Sequence, residues 1–259
     1  MRQLPFTLAY LAISVFHVLA AAFACLLPGR APVQWVVARY TRRMVDAMRT
    51  FAGIKLEVRG RERLPKSGAY ILAPKHQSWG DGFCIYSQFD DLAFVTGDHL
   101  ENLPLFKGIL SKFGAIVVDN CGGPEARAAL SASAAQAHAA GRKILIYPEG
   151  HLAPVGMRFR YRSGVFHMAE DFAMPVVPVA TNLGVFWPEK DNDKRSGMAV
   201  LEFLDPIPPG LGKDEFMARL EHAVETRTAE LVAEATGQPV KPSVLGVPLA
   251  EQQRAAKAG

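Results

Sequence analysis

His76 and Asp81, five residues apart in the run His76-Gln77-Ser78-Trp79-Gly80-Asp81, are the residues whose types and spacing first suggest chemistry. A neutral imidazole can take a proton from a hydroxyl through one ring nitrogen while a carboxylate holds the other. Five residues of ideal helix would turn Asp81 about 140° away from His76. The pairing therefore needs an irregular turn, which Gly80 and Gly82 would ease. Taken alone, the pair is equally readable as a structural histidine or a metal ligand.

A second cluster is Tyr147-Pro148-Glu149-Gly150, followed by Arg158, Arg160 and Arg162. An acid between Pro and Gly at the end of an apolar run belongs to a site more naturally than to a core. The three arginines alternate with Phe159 and Tyr161 and can share one face, where they would bind phosphate through charge-assisted hydrogen bonds. A solvated basic loop is the plainer reading of the same row. Several familiar devices are missing: there is no G-x-S-x-G elbow, Walker A loop, G-x-G-x-x-G or H-E-x-x-H. Cys25, Cys84 and Cys121 include no C-x-x-C pair. Neither a disulfide framework nor a compact metal site is encoded.

The elements that must hold these residues follow from the pattern between them. Apolar, β-prone runs occur at Lys55 to Val58, Tyr70 to Ala73, Leu92 to Thr96, Ala115 to Asp119, Lys143 to Tyr147, Val176 to Ala180 and Met198 to Phe203. Glu125 to Ala140 and Lys213 to Thr236 read as helices, the first with Pro124 before it and Gly141 after it. Alternating strands and helices predict an α/β domain over 53–236, with a mixed, largely parallel sheet flanked by helices. Residues 237–259, with Pro239, Pro242 and Pro248, read as a loosely packed tail.

Residues 1–52 have a different character. Leu4 to Leu27 is an uncharged apolar run of 24 residues, about 36 Å as a helix, against roughly 30 Å of hydrocarbon in a bilayer. In the next stretch Val33, Val36, Tyr40, Met44 and Met48 recur at helical spacing, with Arg39, Arg42, Arg43 and Arg49 on other faces. That pattern suits an amphipathic helix at an anionic interface, or a surface helix packed on the domain. Charge is concentrated here: of 29 Lys+Arg and 25 Asp+Glu, residues 1–60 hold eight basic and two acidic side chains. The expectation is a two-helix membrane anchor on the cytoplasmic face of the inner membrane. No basic and aromatic run elsewhere marks a nucleic-acid surface.

Together these motifs resemble the glycerolipid acyltransferase family, specifically the bacterial 1-acyl-sn-glycerol-3-phosphate acyltransferases. The first family motif resembles His76 to Asp81, the second Gly114 to Asp119, the third Tyr147 to Gly150 and the fourth Val177-Pro178-Val179. Their order and separations agree, and the similarity runs from about Gly53 to Thr236. The resemblance implies that His76 is general base on a lysolipid hydroxyl and that Asp81 holds and polarises it. Lys75, Gln77, Ser78, Glu149, Gly150, Arg158, Arg160 and Arg162 would form the substrate-binding set. It implies no metal and no cofactor beyond the acyl-ACP or acyl-CoA co-substrate, with no covalent acyl-enzyme. Two family arginines are replaced, by Asn120 and by Leu152 in His151-Leu152. Lysophosphatidic acid is the first-choice acceptor, and another lysolipid such as lyso-ornithine lipid is the alternative. Two other classes remain beside it, a non-catalytic membrane-binding protein with a decayed site and a zinc hydrolase using His76, Asp81, Glu149 and His151.

Overall fold

Runs such as Val176-Val177-Pro178-Val179-Ala180 are apolar on both faces and are buried only in a sheet covered on both sides. In the computed structural model, which describes residues 3–118, 124–189, 194–242 and 244–246, that is where they lie. The strands are β1 (Ile54–Arg59), β2 (Ile71–Pro74), β3 (Leu92–Gly97), β4 (Ile116–Val118), β5 (Lys143–Leu145), β6 (Met157–Arg158), β7 (Val176–Thr181), β8 (Gly197–Phe203) and β9 (Val244–Leu245). Seven of them form one sheet in the order β1-β8-β7-β2-β5-β3-β4, and β6 pairs separately with β9. Every neighbouring pair in the large sheet is parallel except β7 and β8. The mixed, largely parallel sheet expected from the sequence is the observed one.

Helices cover both faces. They are α1 (Gln3–Ala24), α2 (Ala31–Ala47), α3 (Asp81–Tyr86), α4 (Phe106–Phe113), α5 (Pro124–Ala139), α6 (Gly164–Asp171), α7 (Leu183–Phe186) and α8 (Lys213–Thr236). On one face Phe216, Leu220 and Val224 of α8 and Val165 and Met168 of α6 pack with Ile71, Ile144 and Val176 of the sheet. On the other, Val33 and Val36 of α2, Ile85 of α3 and Phe113 of α4 pack with Leu72, Leu145 and Val177. The sheet is thus the middle of three layers. β2 and β5 are parallel neighbours in its centre, so the segments leaving their C-terminal ends emerge side by side. In open α/β sheets that edge is where ligands bind.

Of the two readings of the second N-terminal helix, the one packed on the domain is observed. The apolar side of α2 is turned inward, with Val33, Val36 and Met44 buried, Val33 and Val36 in one cluster with Ala21 and Ala24 of α1 and with strand residues, and Met48 buried in the turn that follows. Its exposed side carries Arg39, Arg42 and Arg43 beside Trp35, with Arg49 exposed in the turn that follows, and Arg30 just before it bonds Asp91 at 3.2 Å. It is α1 that faces outward. Phe6, Ala21 and Ala24 pack inward, while Leu4, Leu8, Leu11, Val15, Leu19 and Phe23 form an exposed stripe. At the other terminus, Val244–Leu245 leaves the expected loose tail to pair with Met157–Arg158.

Candidate active site

The strand-to-helix turn after β2 brings His76 and Asp81 together. Ser78 O accepts the Asp81 N–H at 3.2 Å, and Ser78 Oγ accepts the Gly80 N–H at 3.0 Å, so the chain bends before α3 starts at Asp81. Asp81 then lies across the turn instead of a helical rotation away. Its Oδ2 accepts the backbone N–H of Gln77 at 2.7 Å and of Ser78 at 2.8 Å, and lies 3.1 Å from His76 Nδ1. The conformation at Gly80 is ordinary right-handed, so flexibility is not what the glycine supplies. A Cβ there would come within 2.8 Å of the Trp187 ring, whereas at Gly82 the nearest atom would be 3.9 Å away. Close packing, at position 80 alone, is the requirement.

The Asp81 side chain is wholly buried and the His76 side chain keeps 21 % of its surface. With Nδ1 held by the carboxylate, Nε2 is the nitrogen left for a substrate. The Tyr147 ring stacks on the imidazole at 3.8 Å between centroids and 21° between planes. Burial, reinforced by Asp81, pushes the Tyr147 hydroxyl well above its ordinary range, so it stays protonated. Three buried oxygens here, Gln77 Oε1, Asp81 Oδ1 and Tyr147 Oη, have no hydrogen-bond partner.

His76 and Tyr147 open onto a cavity of about 960 Å³. It is lined by His17, Val18 and Ala21 of α1 with Val36, Val37 and Tyr40 of α2, and by residues of β3, α4 and α6. A largely apolar cavity of this size, with a base on its wall, can hold a long aliphatic chain beside a reacting hydroxyl.

The sequence-derived binding set separates into three groups. Gly150 and Arg162 line the cavity, and the Arg162 guanidinium lies 3.2 Å from His151 Nε2. Gln77 and Ser78 are buried in the turn, where their amides serve Asp81. Lys75, Glu149, Arg158 and Arg160 are not on the cavity. Lys75 is completely buried and donates to Glu149 Oε2 at 3.0 Å and Glu225 Oε1 at 2.8 Å. Arg158 pairs with Glu221 at 3.1 Å, and Arg160 points to solvent, so only the last of the three arginines reaches the site. The row does alternate with buried Phe159 and Tyr161, but its outward side is mostly the protein's exterior. Asn120 lies outside the described residues. Burial pushes the Glu149 carboxyl above the usual carboxylate range, against the pull of Lys75 and the Phe159 amide. Among the described residues no three His, Cys, Asp or Glu side chains gather as a metal site.

Two contributors were not picked out from sequence. Tyr147 stood inside a recognised motif without a role. Glu225 carried a signal, since an acid beside Val224 on the core-facing side of α8 requires a buried cation.

Fold and site together define an α/β acyl-transfer scaffold, and comparison with known proteins gives the same class. A family model described as Acyltransferase matches residues 55–182. A 1-acyl-sn-glycerol-3-phosphate acyltransferase of Pseudomonas aeruginosa is 31 % identical over 221 residues, covering 85 % of each chain. The human 1-acyl-sn-glycerol-3-phosphate acyltransferase alpha is 24 % identical over 86 % of this chain and 80 % of its own. The crystal structure of the 1-acyl-sn-glycerophosphate (LPA) acyltransferase PlsC from Thermotoga maritima superposes with a TM-score of 0.72 at 20 % identity, over 90 % of this chain and 98 % of that one. The chain belongs to the 1-acyl-sn-glycerol-3-phosphate acyltransferase family.

Proposed function

We propose that this protein transfers a fatty acyl group from an acyl thioester to the free sn-2 hydroxyl of lysophosphatidic acid, giving phosphatidic acid. The observation that carries the reading is the His76–Asp81 pair on the wall of a chain-sized apolar cavity. In the reaction His76 Nε2 takes the hydroxyl proton as the oxygen attacks the thioester carbonyl. The C–O bond forms, the C–S bond breaks, and the proton passes to the departing thiolate. Asp81 keeps the imidazole oriented and stabilises the imidazolium that forms. The donor is a thioester of acyl carrier protein or coenzyme A, and no further cofactor enters. Arg162 is the cation placed to meet the acceptor's phosphate, in the role that Leu152 cannot fill.

The same reading puts the protein on the cytoplasmic face of the inner membrane. Supporting it is α1, which touches the body along its whole length, from Phe6 against Trp187 to Ala24, while its opposite side is apolar and exposed. A helix fixed in this way lies in one leaflet with the body beside it. The exposed Leu103 and Leu105 extend that surface, because α4 begins just after them and Gly108 meets Cys25 at the end of α1.

Purified protein with labelled acyl-ACP or acyl-CoA and a panel of lysolipids tests the proposal. Phosphatidic acid should form from lysophosphatidic acid and should be lost in His76→Ala. Transfer only to another acceptor, such as lyso-ornithine lipid, would overturn the assignment of substrate. Undiminished transfer by His76→Ala would overturn the mechanism.

A further inference from the structure

Directly behind the catalytic turn, on the side away from the cavity, lies a cluster of buried charges that proton transfer does not use. Lys75 immediately precedes His76 and has no solvent exposure. Its ammonium donates to Glu149 Oε2 at 3.0 Å, to Met157 O at 2.9 Å and to both Glu225 oxygens, at 2.8 and 3.1 Å. All three of its N–H groups are therefore spent, on three different parts of the chain. Tyr161 adds a hydroxyl bond to Glu225 Oε1 at 2.8 Å.

Glu149 connects this cluster to the reacting group. Its Oε2 also accepts the Phe159 N–H at 2.9 Å, and its Oε1 accepts the backbone N–H of His76 at 3.3 Å. The His76 carbonyl is held from the other side by the Ala153 N–H at 2.7 Å. Both peptide groups flanking the His76 Cα are fixed, one of them by a carboxylate whose own position depends on Lys75. With both oxygens engaged and the side chain buried, Glu149 has no oxygen to offer an acceptor.

Stability alone does not account for such a cluster. Two carboxylates sharing one ammonium carry a net negative charge out of water, and a buried ion pair is often replaced by apolar side chains with no loss of stability. What apolar groups cannot do is fix direction. Lys75 ties the end of β2 to the Tyr147–Gly150 turn, to β6 and to α8 at defined distances, and the residue next to it is the base.

From this geometry we infer that Lys75 and Glu225 are positioning residues: they hold Glu149, and through it the His76 backbone, so that the imidazole meets the acceptor hydroxyl in one place. The inference builds on the acyl-transfer reading above and gives the Glu149 carboxylate a supporting role in place of a substrate-binding one.

Glu225→Gln is the sharper test, since it keeps the side-chain shape and removes one anionic partner of Lys75. Its kcat with lysophosphatidic acid should fall roughly tenfold, as small misplacements of a reacting group do, with KM for both substrates within about twofold. The His76 signal in ¹⁵N-histidine spectra, identified by its loss in His76→Ala, should shift or broaden. Glu230→Gln on the exposed side of α8 should leave rate and spectrum unchanged. Lys75→Met should cost at least as much, and if it fails to fold, Glu225→Gln carries the test alone. A lower melting temperature with kcat and the His76 signal untouched would reduce the cluster to a structural role and overturn the inference. A raised KM for the acceptor at constant kcat would overturn it too, by making the cluster a binding site. If the wild type makes no phosphatidic acid, the acyl-transfer reading fails, and the His76 spectrum still decides whether Glu225 positions the imidazole.

Discussion

Replacing Asp81 by Asn separates the two tasks this carboxylate performs. Oδ2 takes the backbone N–H groups of Gln77 and Ser78 and faces His76 Nδ1, while Oδ1 is buried without a partner. An asparagine of the same shape can keep the turn only by placing its carbonyl oxygen at the Oδ2 position. The two backbone bonds then fall from charge-assisted, about 1.5–3 kcal/mol each, to neutral, about 0.5–1.5 kcal/mol each. The amide nitrogen lands where Oδ1 was, a buried donor with nothing to donate to, at about 1 kcal/mol or more. The flipped orientation is worse, since the NH₂ would face two N–H donors. A loss of about 3 kcal/mol follows, which lowers the melting midpoint by roughly 6–12 °C in a chain of this length.

The effect on rate has a different origin. A neutral amide still accepts a bond from Nδ1–H, but it no longer stabilises the imidazolium formed as the hydroxyl proton arrives. kcat should therefore fall by on the order of 10²–10⁴, the usual size of a general-base contribution. KM should hardly move, because the Asp81 side chain is wholly buried and touches no substrate. Initial rates at 25 °C, well below the lowered midpoint, keep unfolding out of the measurement. A kcat within about threefold of wild type, at whatever melting temperature, would refute the assignment of Asp81 as the partner of the base.

Three further outcomes follow from the same structure. Arg162→Ala should raise KM for lysophosphatidic acid by about tenfold or more, the loss of one charge-assisted bond, and should leave KM for the acyl thioester unchanged in the same steady-state assay. The double change Leu103→Asp and Leu105→Asp, at two exposed positions beside the end of α1, should reduce sedimentation with anionic vesicles while leaving thermal stability intact. Gly60→Ala should destabilise by at least about 2 kcal/mol in urea titration, because φ is +74° there and a Cβ would lie 2.0 Å from the Phe203 carbonyl oxygen.

The parts of this fold that were legible in the sequence are those whose signal is local. Val176–Thr181 and Ile71–Pro74 are fully buried strands in the middle of the sheet, and such strands appear as unbroken apolar runs. The helix α8 runs from Lys213 to Thr236 as its pattern predicts, with Gly237 left-handed just beyond. The short helices α3, α4, α6 and α7, of six, eight, eight and four residues, were missed because one or two turns cannot establish a period. Within the site, His76 and Asp81 are near in sequence and their pairing was readable. Lys75 was not, since its partner Glu225 is 150 residues away and nothing local distinguishes a lysine reaching for substrate from one buried behind it. What covers the apolar side of α2 was open for a related reason: an amphipathic pattern says that one side is covered, and here the cover is protein.

That packing bears on how the N-terminal helices and the chemistry are connected. A tether would leave its helices outside the catalytic core, yet Ala21, Ala24, Val33 and Val36 share a buried cluster with Tyr70, Leu72 and Val177 of the central strands. Phe6, Ala47 and Met48 do the same with Leu183 and Phe186 of α7. Side chains of α1 and α2 also line the cavity onto which His76 opens. The helix whose outer stripe suits lipid is thus, on its inner side, a wall of the site. On the proposed reading, a long-chain acceptor bound in that cavity would rest against α1 and α2 and keep its apolar area from water. Removing residues 1–52 would therefore do more than take away the apolar outer stripe of α1, because it would open the cavity beside His76 to solvent and remove the apolar wall against which a chain can be held.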